Sequence, residues 1–315
     1  CLFFAQFAAV TNVNYPYVYQ RFLDSIMVLN FDLSWIPSVG CVLSLDFHDR
    51  LLLATLGPIV VLLLLGATFT FAVLVNKSSE IELRSIRHKH LSAMLLVTFY
   101  VYSSVSSIVF QTFACEGLDD GKIYLRADYR IECDSSKHAA LQIYAGFMIL
   151  VYPVGIPALY AGLLFKDRNV LTMKDELRND NCDVRSTSNL WKPYKPSAFY
   201  YEVIECARRV LLAGVVVFIL PNTAGQIAVT LVIAFFFTVV TESLSPYSSK
   251  VDAWVARVGH VVVFISVYLA LLLKVDVSAE RYQSQKVFEV ILVFTHACMI
   301  AAAIIEAIFA MCSVR

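Results

Sequence analysis

The stretch LLLATLGPIVVLLLLGATFTFAVLVN (51–76) contains no Asp, Glu, Lys, Arg or His. A helix that crosses the hydrocarbon core of a bilayer needs about 20 predominantly apolar residues, so this stretch predicts a transmembrane helix. Six further runs meet the same criterion, at 91–113, 139–165, 201–220, 225–241, 254–273 and 288–312. We therefore predict an all-α fold, a polytopic transmembrane helical bundle of about seven spans.

The composition of the chain agrees with a membrane protein. Of its 315 residues, 59% are hydrophobic and 16% are charged, and the mean hydropathy is +0.69. Soluble domains are about 45–50% apolar and about 25% charged. The expected partner is therefore the lipid bilayer of the plasma membrane or an endomembrane. The formal net charge of +0 gives no indication of nucleic-acid binding.

Residues 1–50 differ from the rest of the chain because Asn, Asp and Pro interrupt their apolar runs. This pattern is typical of amphipathic or re-entrant segments at a membrane interface. The sequence begins at Cys1, with no initiator Met and no basic signal-peptide region. We expect residues 1–50 to be the end of a truncated, larger surface region and residues 51–315 to form the membrane domain.

Basic residues predict the orientation in the membrane. Loop 77–90 contains four Lys or Arg residues, and loop 166–202 contains seven. Lys and Arg in short loops are retained on the cytoplasmic side, and alternating spans place both loops on one side. The N-terminus is then extracellular or lumenal and the C-terminus cytoplasmic. Loop 166–202 becomes a candidate site for a cytoplasmic partner.

Cys41, Cys115 and Cys133 fall on the predicted non-cytoplasmic side, where disulfides persist. Cys115 and Cys133 bracket a natural ring and are predicted to pair. Cys41 can pair with Cys1 or with a segment beyond this sequence, and the spacing does not rank the two alternatives. Cys182 has no CxxC-type partner, so no metal site is predicted.

Four charged residues interrupt the fourth predicted span, YYEVIECARRVLLAGVVVFIL (Tyr200–Leu220). At 100° per residue, Glu202, Glu205 and Arg209 fall within about 60° of helix surface, and Arg208 widens the arc to about 120°. The spacings from Glu205 to the arginines are three and four, at which side chains meet. We call Glu202, Glu205, Arg208 and Arg209 the ionic cluster.

Three interpretations of the ionic cluster follow from its position. Arg209 lies about 16 Å from the Leu220 end at 1.5 Å per residue, close to the middle of a core of about 30 Å. Either the arginines extend to lipid headgroups with the glutamates paired to them, or the cluster faces the bundle interior and lines a hydrated pathway. In the third interpretation the cluster only holds neighbouring helices together.

Other polar residues lie in the later spans. Arg257 and His260 are at the start of the sixth span, and His296 and Glu306 are inside the seventh. We include them as candidates for an intramembrane polar pathway, although a lone buried His more often packs than binds. The first and second spans are almost free of charge.

The third span contains a predicted kink. Pro153 and Pro157 each remove a backbone donor, and Gly155 loosens the helix between them. Such kinks serve packing, but carbonyl groups that lose their donors beside a cavity can also coordinate cations.

The sequence contains no Walker loop, no GxGxxG, no GxSxG and no HExxH. The spans also lack paired acids or a Ser/His combination suited to intramembrane hydrolysis. We predict that the chain is not an enzyme and has no cofactor.

Several stretches together resemble a known type of membrane domain, the C-terminal multi-pass domain of large algal and oomycete surface proteins with cysteine-rich or EGF-like ectodomains. They are FACEGLDDGKIYLRADYRIECDS (113–135), YAGFMILVYPVGIP (144–157), PYKPSAFYYEVIECARRVLLAGVVVFI (193–219), LSPY (244–247) and NFDLSWIPSVGC (30–41). That domain is called TRP-like, by similarity to fungal TRP-like membrane proteins and more remotely to polycystin-type channels.

The resemblance covers nearly the whole chain and implies a TRP-like bundle, which acts as a cation channel or a transport or sensing subunit. Ca²⁺ or monovalent cations would be the partners, in a homo-oligomer. The chain departs from tetrameric channels, because neither PNTAG (221–225) nor the loop at 274–287 has a pore-helix pattern. The rival hypotheses are a non-conducting receptor or anchor module for a large extracellular region, and a lipid or small-solute transporter.

Overall fold

The computed structural model describes residues 15–27, 46–75, 80–118, 120–181, 184–221, 223–275 and 282–313. Its α-helices are α1 (Tyr17–Met27), α2 (Phe47–Val75), α3 (Glu80–Gln111), α4 (Ser136–Ile149), α5 (Gly155–Lys166), α6 (Arg168–Leu171), α7 (Asp175–Asp180), α8 (Ser188–Trp191), α9 (Tyr201–Ala213), α10 (Ala224–Leu244), α11 (Lys250–Lys274) and α12 (Tyr282–Ser313). The strands are β1 (Cys115–Gly117), β2 (Ile123–Leu125) and β3 (Asp128–Glu132).

Five helical stretches of the described residues are long and apolar enough to cross a membrane. They are α2, Glu82–Gln111 within α3, the composite Ser136–Lys166, α10 and α11. The predicted class, a helical membrane protein, is confirmed, whereas seven spans are not. The seventh predicted span lies within α12, which is not among the five.

The fourth predicted span is not one continuous helix. α9 ends at Ala213, Gly214 leaves helical geometry at φ −121°, and a 3₁₀ turn follows at Val215–Phe218. At 1.5 Å per residue α9 is about 20 Å long, shorter than a hydrocarbon core of about 30 Å. Gly214 is the physical reason for the difference, because a residue without Cβ readily leaves helical geometry.

The chain divides into two compact units. Unit 1 comprises Cys1–Ser44, Phe113–Cys133 and Leu211–Arg315, and unit 2 comprises Leu45–Thr112 and Asp134–Val210.

Two histidine contacts define the ends of unit 2. His48 Nε2, in the first turn of α2, lies 3.1 Å from His138 Nδ1, in the first turn of α4. His88 Nδ1, near the start of α3, hydrogen-bonds Ser186 Oγ of the segment that follows α5. The regions predicted as loops 77–90 and 166–202 therefore meet at one end of unit 2, which we call the basic end.

Residues 168–181 and 184–198 are folded where a loop is predicted, and we call them the folded segment 168–198. Besides α6, α7 and α8, this segment contains 3₁₀ turns at Arg185–Thr187 and Pro196–Ala198. Its buried apolar side chains are Leu171, Val184, Leu190, Trp191, Tyr194 and Ala198. The turn Arg185–Thr187 and α8 pack on α3, and α8 also packs on α5, so these apolar side chains are buried against the long helices of unit 2.

The predicted kink of the third span lies at a π-helical turn, Leu150–Val154, between α4 and α5. Pro153 is inside this turn and cannot donate to the preceding carbonyls. Gly155 follows, and a Cβ added to it would lie 2.9 Å from the Leu150 carbonyl oxygen. The turn is stabilised from α2, where the Thr55 carbonyl accepts a 2.5 Å hydrogen bond from the Tyr152 hydroxyl.

Unit 1 is built around the hairpin of α10 and α11. Ser245 ends α10 in the left-handed conformation (φ 41°), and the Ser249 side chain caps the first turn of α11. The core of the unit consists of Tyr15, Tyr19, Ile227, Val262, Val267, Leu269, Ala270 and Leu292.

α1 is the described part of the predicted N-terminal amphipathic segment. Its Tyr19 is fully buried, whereas Tyr17 is 67% exposed. Glu289 Oε1 on α12 accepts a 2.8 Å hydrogen bond from the backbone N–H of Val18. The apolar face of α1 thus packs on α12, which explains its amphipathic pattern.

A small three-stranded antiparallel sheet is added to a fold that is otherwise helical, as the all-α class predicts. Its order is β1-β2-β3, and Cys115 of β1 is disulfide-bonded to Cys133, which follows β3. The predicted disulfide therefore exists, and the ring that it closes is folded as a sheet. Arg126, between β2 and β3, forms an ion pair of 3.6 Å with Glu116.

Several predicted features lie outside the described residues or side chains. They are Lys77, Cys1, Cys41, Cys182 and the side chains of Glu306 and Cys312.

Candidate functional site

The ionic cluster is assembled by α9 alone, as its spacing predicts. Glu205 accepts two hydrogen bonds from Arg208, of 2.9 Å from Nε and 2.5 Å from Nη2. Arg209 Nε donates to the same carboxylate at 3.2 Å. One glutamate therefore receives both arginines, in the fork geometry that gives guanidinium–carboxylate pairs their strength.

Glu202 has a different set of partners. Its Oε2 accepts a 2.7 Å hydrogen bond from the Tyr194 hydroxyl, and its Oε1 lies 3.9 Å from Arg209 Nη2. The Cys206 thiol is 4.0 Å from Oε1. Glu202 is only 3% exposed. Its carboxylate is therefore buried with weaker charge neutralisation than that of Glu205.

Neighbouring helices of unit 2 surround the ionic cluster. The Tyr102 hydroxyl on α3 donates to the Cys206 carbonyl at 3.0 Å, and the Arg209 guanidinium lies 5.5 Å from the centre of the Phe99 ring. On α5, the Tyr160 hydroxyl is 3.0 Å from Thr98 Oγ1. Hydroxyl groups of α3 and α5 and one aromatic face thus lie beside the ionic cluster.

The depth of the ionic cluster follows from its contacts with α3. At 1.5 Å per residue, Phe99 lies about 18 Å from the Gln111 end of that helix. If the Gln111 end marked one edge of a hydrocarbon core of about 30 Å, this position would be near its middle.

The side chains of the ionic cluster are directed into unit 2. Glu205 is 7% exposed, and both arginines bond to it instead of extending away from the protein. Removing one partner of a buried pair would leave an uncompensated charge, at a typical cost of about 3–5 kcal/mol. Paired, largely buried charges of this kind are common to the hydrated-pathway and the helix-holding interpretations.

The remaining pathway candidates with described side chains, Arg257, His260 and His296, belong to unit 1, and each has local partners. Arg257 forms a two-bond pair with Glu242, and both side chains are about half exposed. His260 is buried, with its Nε2 3.5 Å from Thr241 Oγ1. His296 requires a separate description.

His296 is fully buried in an aromatic cluster. Its Nε2 is 3.4 Å from the Tyr19 hydroxyl and its Nδ1 is 2.9 Å from the Leu292 carbonyl oxygen. The ring of Phe22 lies 6.4 Å away, edge-on. His296 therefore joins α1 to α12, a packing role for a lone buried His.

Sequence reasoning missed four residues around the ionic cluster: Thr98, Tyr102, Tyr160 and Tyr194. The first three carry hydroxyl groups in otherwise apolar spans, and this pattern could have identified them. Tyr194 lies in a region predicted as a loop, and nothing in its local pattern indicates a contact with Glu202.

No protein-family model, curated protein or solved structure matches the chain. The fold and the cluster themselves define its class, an α-helical integral membrane protein with a buried ionic cluster in one of its two units.

Proposed function

We propose that the chain is the membrane domain of a cation transport or sensing protein, in which Glu202 is the cation- or proton-binding group. This proposal retains the TRP-like resemblance. The observation that supports it best is the unequal pairing of the two buried glutamates. Intramembrane ionisable residues are costly and typically mark ion or proton pathways.

Glu202 is the group of the ionic cluster that can exchange a cation most readily. Glu205 is held by three hydrogen bonds from two arginines. Glu202 has one hydroxyl donor, and its nearest guanidinium nitrogen is at 3.9 Å. A cation or proton that approached Glu202 would therefore displace fewer strong contacts than one that approached Glu205.

The proposal includes the seven-span architecture and its orientation. α9 and the 3₁₀ turn Val215–Phe218 are about 20 Å and about 8 Å long, together close to one crossing. α12, with 32 residues, provides the seventh. The basic end of unit 2 is then cytoplasmic, in agreement with retention of Lys and Arg on that side.

Reconstitution in liposomes tests the proposal. The purified protein is incorporated with a pH- or cation-sensitive dye inside, and K⁺, Na⁺, Ca²⁺ and proton flux are recorded. We expect flux in the natural protein and at least a tenfold decrease in Glu202→Gln. The matched control is Glu242→Gln, which removes a carboxylate from the exposed pair with Arg257.

A second candidate function is a non-conducting receptor or anchor module. The ionic cluster is formally neutral, and residues 168–198 form a folded surface with exposed basic side chains, including Lys174, Lys192 and Lys195. Absence of flux together with binding of a soluble protein to this segment would favour this function. Scrambling of labelled lipid in the same vesicles would instead favour a lipid transporter.

A further inference from the structure

We propose that the folded segment 168–198 regulates the ionic cluster through Tyr194. Tyr194 is a positioning residue, because its side-chain hydroxyl contacts the ionic cluster and its backbone carbonyl contacts Arg178 of the segment. The inference concerns the control of Glu202 and rests on the function proposed for that residue.

Tyr194 connects the two regions by direct hydrogen bonds. Its side-chain hydroxyl donates to Glu202 Oε2 at 2.7 Å, whereas its backbone carbonyl accepts a bond of 3.1 Å from Arg178 Nη2. Its ring lies 5.2 Å from the ring of Tyr201, the first residue of α9. A shift of the Tyr194 backbone therefore moves the group that bonds Glu202.

Arg178 determines where Tyr194 lies. The same Nη2 also donates to Asp175 Oδ1 at 2.8 Å, and the guanidinium stacks 4.6 Å above the centre of the Trp191 ring. Trp191 is itself held by hydrogen bonds from its Nε1 to the Val184 carbonyl and to Thr187 Oγ1, both at 3.2 Å. Arg178 is thus a bridge within the segment.

The burial of Arg178 makes the folded segment sensitive to perturbation. Arg178 is 2% exposed, and its Nε and Nη1 have no hydrogen-bond partner among the residues that the structure describes. Burial lowers the pKa of its guanidinium, and the Asp175 carboxylate opposes this shift. A buried charge with open donors carries a large desolvation cost. Opening of the segment would return Arg178 to water and recover part of that cost.

Two states of the segment follow. In the folded state, Tyr194 donates to Glu202 and helps to hold the carboxylate charged. In the open state, Glu202 loses that donor and retains Arg209 at 3.9 Å. A cytoplasmic partner that bound the open segment would therefore change the affinity of Glu202 for a cation or proton, and a ligand at Glu202 would change the opening in return.

Hydrogen–deuterium exchange of the purified protein tests the connection without any transport measurement. The variants are Tyr194→Phe, Glu202→Gln, the double variant and Arg178→Lys. Tyr152→Phe is the matched control, because it removes a buried hydroxyl that donates to the Thr55 carbonyl instead. We expect each single variant to speed exchange of amides in 184–198 by about tenfold, the effect of weakening one charged hydrogen bond.

The double variant Tyr194→Phe/Glu202→Gln should exchange no faster than either of its single variants, and Tyr152→Phe should leave 184–198 unchanged. Additive effects of Tyr194→Phe and Glu202→Gln, or an unchanged segment in Glu202→Gln, would overturn the inference. Liposome flux separates the two proposals. If the natural protein shows no flux, the proposed function fails, and the exchange data still decide the connection.

Discussion

Replacement of Gly155 by Ala tests the π-helical turn of the third span. An Ala Cβ at this position would lie 2.9 Å from the Leu150 carbonyl oxygen, well inside the 3.4 Å at which ordinary contacts begin. The clash is with backbone, so no side-chain rotation relieves it. Overpacking of this kind costs about 1–3 kcal/mol. Gly155→Ala should therefore be less stable than the natural protein.

Gly162→Ala is the matched control, because it lies in α5 and its Cβ would meet nothing within 4 Å. At an open helical position Ala is more stable than Gly by about 0.5–1 kcal/mol. The two variants should therefore change the free energy of unfolding in opposite directions, with a difference of about 2–4 kcal/mol.

Denaturation in mixed micelles, followed by the fluorescence of the buried Trp191, measures both variants. A Gly155→Ala protein as stable as Gly162→Ala would refute the reasoning, because it would show that the chain can adopt regular helix at this position without cost.

Three further predictions follow from the contacts in the two units. Glu205→Gln should lower the free energy of unfolding by about 3–5 kcal/mol in the same denaturation assay. Glu242→Gln, at an exposed pair, should lower it by less than about 1 kcal/mol. Equal effects of the two variants would contradict the argument from burial. Cys133→Ser removes the disulfide between residues 18 positions apart and should lower the free energy of unfolding by about 3 kcal/mol. A non-reducing peptide map of the natural protein should show the cross-link that the variant lacks. Tyr19→Phe should cost about 0.5–1.5 kcal/mol through the lost contact with His296, and unchanged thermal stability would argue against that contact.

The membrane class of the fold could be predicted because it depends on composition alone. A run such as 51–76 has no charged side chain, and α2 covers it almost completely. The disulfide between Cys115 and Cys133 could also be predicted, because it closes a short loop. The grouping of the four charged residues of α9 required only helix periodicity. These features depend only on residues that are close together in the sequence, so the sequence alone predicts them.

Features that depend on contacts distant in sequence could not be predicted. Gly214 is a local signal for the end of α9, but the apolar run continues past it to Leu220, so the length of that run predicts a longer helix. Tyr194 reaches Glu202 only because residues 168–198 fold. The strands of the disulfide ring are three to five residues long. This is too short for the alternation of polar and apolar residues to be recognised in the sequence.

The length of α3 has a mechanical consequence for whatever approaches the basic end. With 32 residues, α3 is about 48 Å long and exceeds the hydrocarbon core by about 18 Å. Its polar first turns can therefore project from the bilayer as a rigid helix. The hydrogen bond between His88 and Ser186 holds the segment 168–198 on this projecting part of α3. A soluble partner of the kind proposed above would then bind this segment beyond the lipid headgroups, and shortening α3 by one turn would bring the segment about 5 Å closer to the bilayer.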